Sequence, residues 1–163
     1  MKRHFTAYPS VEGYADRQSY APGDTVDVHC SGRAASVTVT VTRVGAERTE
    51  VWRSAGLRIS EQPVPDDAYA NGARWPVSFN IPTDPSWRSG FYEVGFHAEG
   101  ESGAQAHSEA FFVLRPAAGR AADAVMVLAT NTYNAYNQWG GRCLYTDARQ
   151  VSFDRPLERG YVL

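Results

Sequence analysis

From Val11 to about Pro116 apolar and polar residues alternate with a period of two, in short runs separated by turn residues. The clearest run is Ser36 to Val44, in which Val37, Val39 and Val41 fall on one face and Thr38, Thr40 and Thr42 on the other. That spacing is what a half-buried strand requires, and β-branched residues suit its pleat. Thr25 to Cys30 alternates in the same way behind a Pro22-Gly23 turn, where Pro pre-sets φ and Gly supplies a positive φ. Thr49 to Arg53 is the expected antiparallel partner of the Val37 strand across a turn at Gly45. Ser60 to Arg74, with two prolines, Asp66-Asp67 and Asn71-Gly72, reads as loop. Trp75 to Pro82 returns to strand, and Phe91 to Ala98 with Ser108 to Leu114 forms a hairpin around the small polar tip Gly100 to Gly103.

About seven short alternating strands in roughly a hundred residues predict an immunoglobulin-like β-sandwich over residues 11–116, after an N-terminal extension at 1–10. The pattern then changes. Apart from Arg120, residues 117–122 are small, include Gly119 and follow Pro116, and they read as a linker. Ala124 to Ala129 is apolar without alternation, as in a strand covered on both faces of a parallel sheet. Polar and aromatic residues follow it, and the carboxyl end of such a strand is where open α/β sheets place their sites. A short strand is expected at Arg142 to Thr146. The fold class is therefore mainly β, with residues 123–163 as the N-terminal part of an α/β catalytic-type domain. Forty residues cannot close a doubly wound domain, so it is expected to be truncated and completed by further chain or by a partner subunit.

Composition narrows the classes. The 163 residues are 43% hydrophobic with a formal net charge of -2, so there is no basic stripe for nucleic acid and no polybasic membrane patch. No apolar run approaches the roughly 20 residues needed to span a bilayer, and the start lacks the apolar core of a secretory signal. Two cysteines, Cys30 and Cys143, placed in different predicted domains, argue against a disulfide scaffold or a zinc site and fit a reduced, cytoplasmic setting.

The segment ATNTYNAYNQWGGRCLY, followed by VSFDRPLERG, resembles the core of the large (β) subunit of N,N-dimethylformamidase and its relatives. GYADRQSYAPGDTVDVHCS, VPDDAYANGARWPVSFNIP and WRSGFYEV agree in the same order. The resemblance implies an immunoglobulin-like domain leading into a glutamine-amidotransferase-like α/β domain. It also implies hydrolysis of a small amide by an iron held through two tyrosines and a glutamate. The Ala135-Tyr136 step matches the family's first ligand tyrosine, which makes Tyr136 the candidate metal ligand. The other ligands would lie past Leu163, so this chain alone is expected to bind iron poorly and hydrolyse nothing. Asn137 to Gly141, NQWGG, departs from authentic formamidases and leaves the substrate open. An oligomer is expected of the complete protein. The alternative is an immunoglobulin-like interaction module without catalysis of its own.

Each candidate has a plainer reading. A phenol, ordinarily titrating near ~10, binds hard trivalent iron as the phenolate, and such a metal can polarise an amide carbonyl and activate water. Tyr136 is equally readable as a core tyrosine bonded to a backbone carbonyl. Asn131, Asn134 and Asn137 recur every third residue. Asn134 and Asn137, with Trp139, could contact substrate or orient a water, whereas Asn131 reads better as a helix cap. Gly140-Gly141 reads as a turn, and Cys143 as a buried thiol. His97 and His107 should face each other as a cross-strand surface pair, since a metal site would need more ligands. Asp66-Asp67 lacks calcium-loop spacing and reads as turn, with Asp67-Ala68-Tyr69 packing toward the second unit.

Overall fold

The alternating valines and threonines do form a strand, and its neighbours arrange themselves around it. A computed structural model describes residues 10–34, 36–100, 103–120, 122–158 and 160. The predicted extension therefore lies outside the described residues except for Ser10, as does part of the hairpin tip. The strands are β1 (Ser10–Ala15), β2 (Ser19–Tyr20), β3 (Thr25–Arg33), β4 (Ser36–Val44), β5 (Arg48–Leu57), β6 (Val77–Pro82), β7 (Gly90–Glu99) and β8 (Gln105–Leu114). Two short helices accompany them, α1 (Ala68–Asn71) and α2 (Thr130–Tyr136).

The strands form two sheets. One has the order β1-β3-β6 and the other β2-β8-β7-β4-β5. The pairings are antiparallel apart from two residues of β2 beside β8. The β4–β5 hairpin across Gly45 and the β7–β8 hairpin follow the sequence pattern. Val37, Val39 and Val41 are fully buried, as are Val26 and Cys30 on β3 and Phe96 and Phe112 on β7 and β8. Side chains from both sheets meet in this one core. Tyr92 stacks on Phe112 with 5.3 Å between ring centres, and Tyr20 meets Phe112 edge-on at 5.5 Å.

The chain after Leu114 departs from expectation. Ala124 to Ala129 joins no sheet; Val125 is 85% exposed and Val127 88%. An unalternated apolar run is buried on both faces only where neighbouring strands and covering helices exist, and the described residues supply neither. Arg142 to Thr146 is likewise a turn, closed by the Cys143 N–H to the Thr146 hydroxyl at 3.0 Å and by that hydroxyl to the Cys143 carbonyl. The Ser60–Arg74 loop contains the one-turn helix α1, which stops where Gly72 takes φ 83°. No helix among the described residues is long and apolar enough to cross a membrane.

Residues 130–158 fold back onto the β-sheet part. Trp75 meets Trp139 edge-on at 5.5 Å and tilts against Tyr14 at 5.8 Å. The Ser152 N–H donates to the Tyr69 carbonyl (2.9 Å) and the Ala73 N–H to that of Asp154 (2.8 Å). The Asp67–Tyr69 loop thus packs against residues 152–154, with Asp67 itself holding Arg74 and Asn71.

Candidate functional site

The polar segment after the apolar run is organised by an arginine that its own sequence does not single out. Arg155 is 2% exposed. Its Nη2 donates to the carbonyls of Asn134 (3.2 Å) and Asn137 (3.0 Å) and to Asn134 Oδ1 (3.2 Å). Its Nη1 donates to the carbonyls of Trp139 and, at 3.4 Å, Arg142, and its Nε to that of Ser152 at 3.0 Å. Carbonyls at and beyond the end of α2 have no helical partner, and a buried guanidinium with its fixed fork of donors meets several at once.

The two buried asparagines complete this cluster. Asn137, fully buried, donates from Nδ2 to the Pro156 carbonyl at 2.9 Å. Its Oδ1 accepts the N–H groups of Trp139 (3.2 Å) and Glu158 (3.0 Å). Trp139 donates from Nε1 to Glu12 Oε2 at 2.9 Å, tying the segment to β1. Asn131 does not cap α2. The N-cap is Ala129, with no side-chain cap bond, and Asn131 is exposed within the helix. Asn134 and Asn137 therefore come together around Arg155, while Asn131 does not join them.

Tyr136 lies on the surface, 44% exposed, with its ring stacked on Tyr145 at 3.9 Å and an interplanar angle of 15°. The core-tyrosine reading is not realised. Among the described residues no group of three or more His, Cys, Asp or Glu is placed to hold a metal ion. An iron site at Tyr136 would therefore need donors beyond the His, Cys, Asp and Glu groups of the described residues.

A cleft of about 40 Å3 opens beneath α2, between β1, β8 and the Phe153–Leu157 segment. Tyr14, Arg17, Tyr133, Asn134 and Arg155 are among its walls. Burial pushes the Tyr14 phenol up to about 12, opposed by a backbone hydrogen bond from Trp75, so Tyr14 stays a neutral wall at physiological pH.

The other candidates behave as the plainer readings have it. His97 and His107 are direct cross-strand partners on β7 and β8, with 4.5 Å between ring centres. His107 Nδ1 lies 3.1 Å from the Phe96 carbonyl and its Nε2 3.0 Å from Glu109 Oε1. Both cysteines are free and buried; burial pushes the Cys30 thiol up to about 12, where it is inert.

Fold and site define a two-sheet β protein on which a polar, asparagine-rich segment is fastened by a buried arginine. The model of the family described as N,N-dimethylformamidase beta subunit-like, C-terminal, matches residues 38–162, and the chain belongs to that family. No curated protein matches it significantly. Among solved structures it is similar to Spo0M, a sporulation control protein from Bacillus subtilis, at a TM-score of 0.41 and 14% identity. That similarity covers 67% of this chain and 50% of the other, so the chain spans about half of that structure.

Proposed function

We propose that this chain is part of an amidohydrolase acting on a small, non-peptide amide. In this reading its two sheets are an immunoglobulin-like sandwich, and residues 123–163 begin a catalytic α/β unit. The observation that carries it is the family match over residues 38–162, which takes in Tyr136 and the whole Arg155 cluster. The family's description as beta subunit-like supports a partner subunit in the working assembly. Tyr136 is the proposed iron-binding position, together with donors that the described residues do not supply. Its surface placement supports this, because an exposed phenol can meet donors carried by other chain segments.

The test compares the complete polypeptide with its Tyr136→Phe variant, by iron analysis and by turnover of formamide. The variant is expected to keep the ring stacking on Tyr145 and to lose iron and activity together. Full iron content and full activity in the variant would sink the assignment of Tyr136.

A further inference from the structure

The cross-strand histidine pair has more built around it than a surface pair requires. His97 and His107 face each other on β7 and β8, with ring centres 4.5 Å apart and planes tilted by 30°. Two imidazoles sharing one tetrahedral cation through bonds of about 2.0–2.1 Å put their ring centres about 5 Å apart, so this pair is close to a chelating separation. Between them lies Gly95, the cross-strand partner of Glu109. A Cβ at Gly95 would lie 2.9 Å from Thr40 Oγ1, 3.1 Å from His97 Nε2 and 3.7 Å from His107 Cε1. Three polar side chains thus converge over the Gly95 backbone, where glycine leaves them room. A polar recess of about 280 Å3 opens beside the pair, with Ser36, Thr38, Glu99 and Gln105 among its other walls.

Hydrogen bonding sets which ring atoms can bind. The Phe96 carbonyl can only accept, and His107 Nδ1 lies 3.1 Å from it, so Nδ1 carries the proton of the neutral ring and Nε2 its lone pair. A far N–H given to a backbone carbonyl is also what orients most ligand histidines. That Nε2 lies 3.0 Å from Glu109 Oε1, and two lone pairs at such a distance repel unless a cation, proton or metal, joins them. Desolvation, and then the charge of His107, hold His97 below its ordinary value, so its lone pair is available at neutral pH. Arg53 is held bidentately by Glu50 (2.8 and 2.6 Å) and Glu93 pairs with Arg48 (2.7 Å), which leaves Glu109 as the carboxylate facing the histidines. With Glu109 the pair does not make a closed group of three placed for a metal, so the remaining positions belong to water. We infer that His97 and His107 form an open binding site for a borderline divalent cation of the zinc, nickel or copper class, held between their Nε2 atoms over Gly95, with Glu109 balancing its charge. Imidazole donors suit these metals, whereas magnesium and calcium take oxygen ligands. The inference uses no residue of the 123–163 segment and does not rest on the amidohydrolase reading.

The probe is zinc chloride, titrated into the full 163-residue chain at about pH 7.5, where an ordinary imidazole is neutral. The signals are the histidine ring resonances. Those of His97 and His107 should move together and saturate at one zinc per chain, with a dissociation constant on the order of 0.1 mM, while magnesium moves neither. Copper should bind more tightly than zinc. His29, bonded to the Trp75 carbonyl, is the internal control and should stay in place. His97→Gln and His107→Gln each remove one ligand from an exposed position on the sheet. Each should leave the ladder amides of β7 and β8 unchanged and weaken zinc binding by about tenfold or more. Ring signals that follow pH but ignore zinc up to about 5 mM would show that the pair takes protons only, and would overturn the inference. So would movement of one ring alone, an equal response to magnesium, copper binding weaker than zinc, or unchanged affinity in either variant. Because no iron and no turnover enter the measurement, its failure leaves the amidohydrolase reading standing, and the reverse also holds.

Discussion

Replacing Arg155 by methionine should undock residues 130–158 while leaving the β-sheets folded. Methionine keeps a flexible apolar stem but removes every donor to the carbonyls of Asn134, Asn137, Trp139, Arg142 and Ser152. Summing such bonds at ~1.5–3 kcal/mol each overcounts, because five N–H groups are shared and the desolvation of the buried charge is recovered when it is removed. Breaking one partner of a buried charged network typically costs ~3–5 kcal/mol, and ~4 kcal/mol is the working figure here. That is about three decades in an equilibrium constant. The core shared by the two sheets contains no residue of this segment, so the loss should be local. Native-state hydrogen exchange reads it directly. The amides of Asn137, Leu144 and Ser152, bonded to Tyr133, Ala135 and Tyr69, report on docking, and the ladder amides of β4, β7 and β8 report on the sheets. Protection at the docking amides should fall about a thousandfold, or vanish, with the ladder amides changed less than about tenfold. A parallel fall in both sets would refute the reasoning, as would a docking loss below tenfold.

Three further outcomes follow from the geometry. Gly140 has φ 83° and an added Cβ would sit 3.0 Å from the Tyr69 nitrogen, whereas Gly141 at φ 91° has open space around it. Gly140→Ala should therefore destabilise docking by ~1 kcal/mol or more beyond Gly141→Ala, both carrying the left-handed penalty of ~1–2 kcal/mol, as read by the same exchange amides. The His97 ring is held below its ordinary value of 6.5, first by desolvation and then by the charge of His107. The unfolded chain then binds the extra proton more readily, so stability should be full above about pH 6.5 and decline as pH falls below it. His97→Gln should flatten that limb of the denaturation midpoint against pH. Finally, Val125→Thr with Val127→Thr should move the midpoint by no more than ~0.5 kcal/mol, since both side chains already face water. A larger loss would mean that the run is buried after all.

The β part was legible because its signal is local. Val37, Val39 and Val41 announce a buried face by spacing alone, and the turns at Pro22-Gly23 and Gly45 set strand limits without help from distant residues. The same kind of reading failed at Ala124 to Ala129 because an unalternated apolar run describes an environment, two covered faces, and not a conformation. A run of that composition becomes a strand when neighbours arrive on both sides; here it stays outside any sheet and exposed along residues 124–127. The predicted strand at Arg142 to Thr146 failed for a nearer reason. Thr146 bonds back to the Cys143 N–H and carbonyl, a local side-chain bond that competes with a strand ladder.

The site was legible in part, and the division falls between residues that show their chemistry and one that acquires it by burial. Asn134, Asn137 and Trp139 stand out as more hydrogen-bonding capacity than a turn needs, and all three do converge. The cap reading of Asn131 failed because α2 already begins at Thr130, with Ala129 at the N-cap, which leaves Asn131 inside the first turn. Arg155 carried no such mark. It sits between Asp154 and Pro156 in a polar stretch, where a charged residue ordinarily faces water. What buries it is the demand of several backbone carbonyls left over where α2 stops and the chain turns, a demand that exists only once the chain has folded. The one usable sign was arithmetic: a seven-residue helix followed by a Gly-Gly turn leaves more carbonyls than its own N–H groups can meet. A long cation within reach in sequence, some twenty residues on, is then the natural donor.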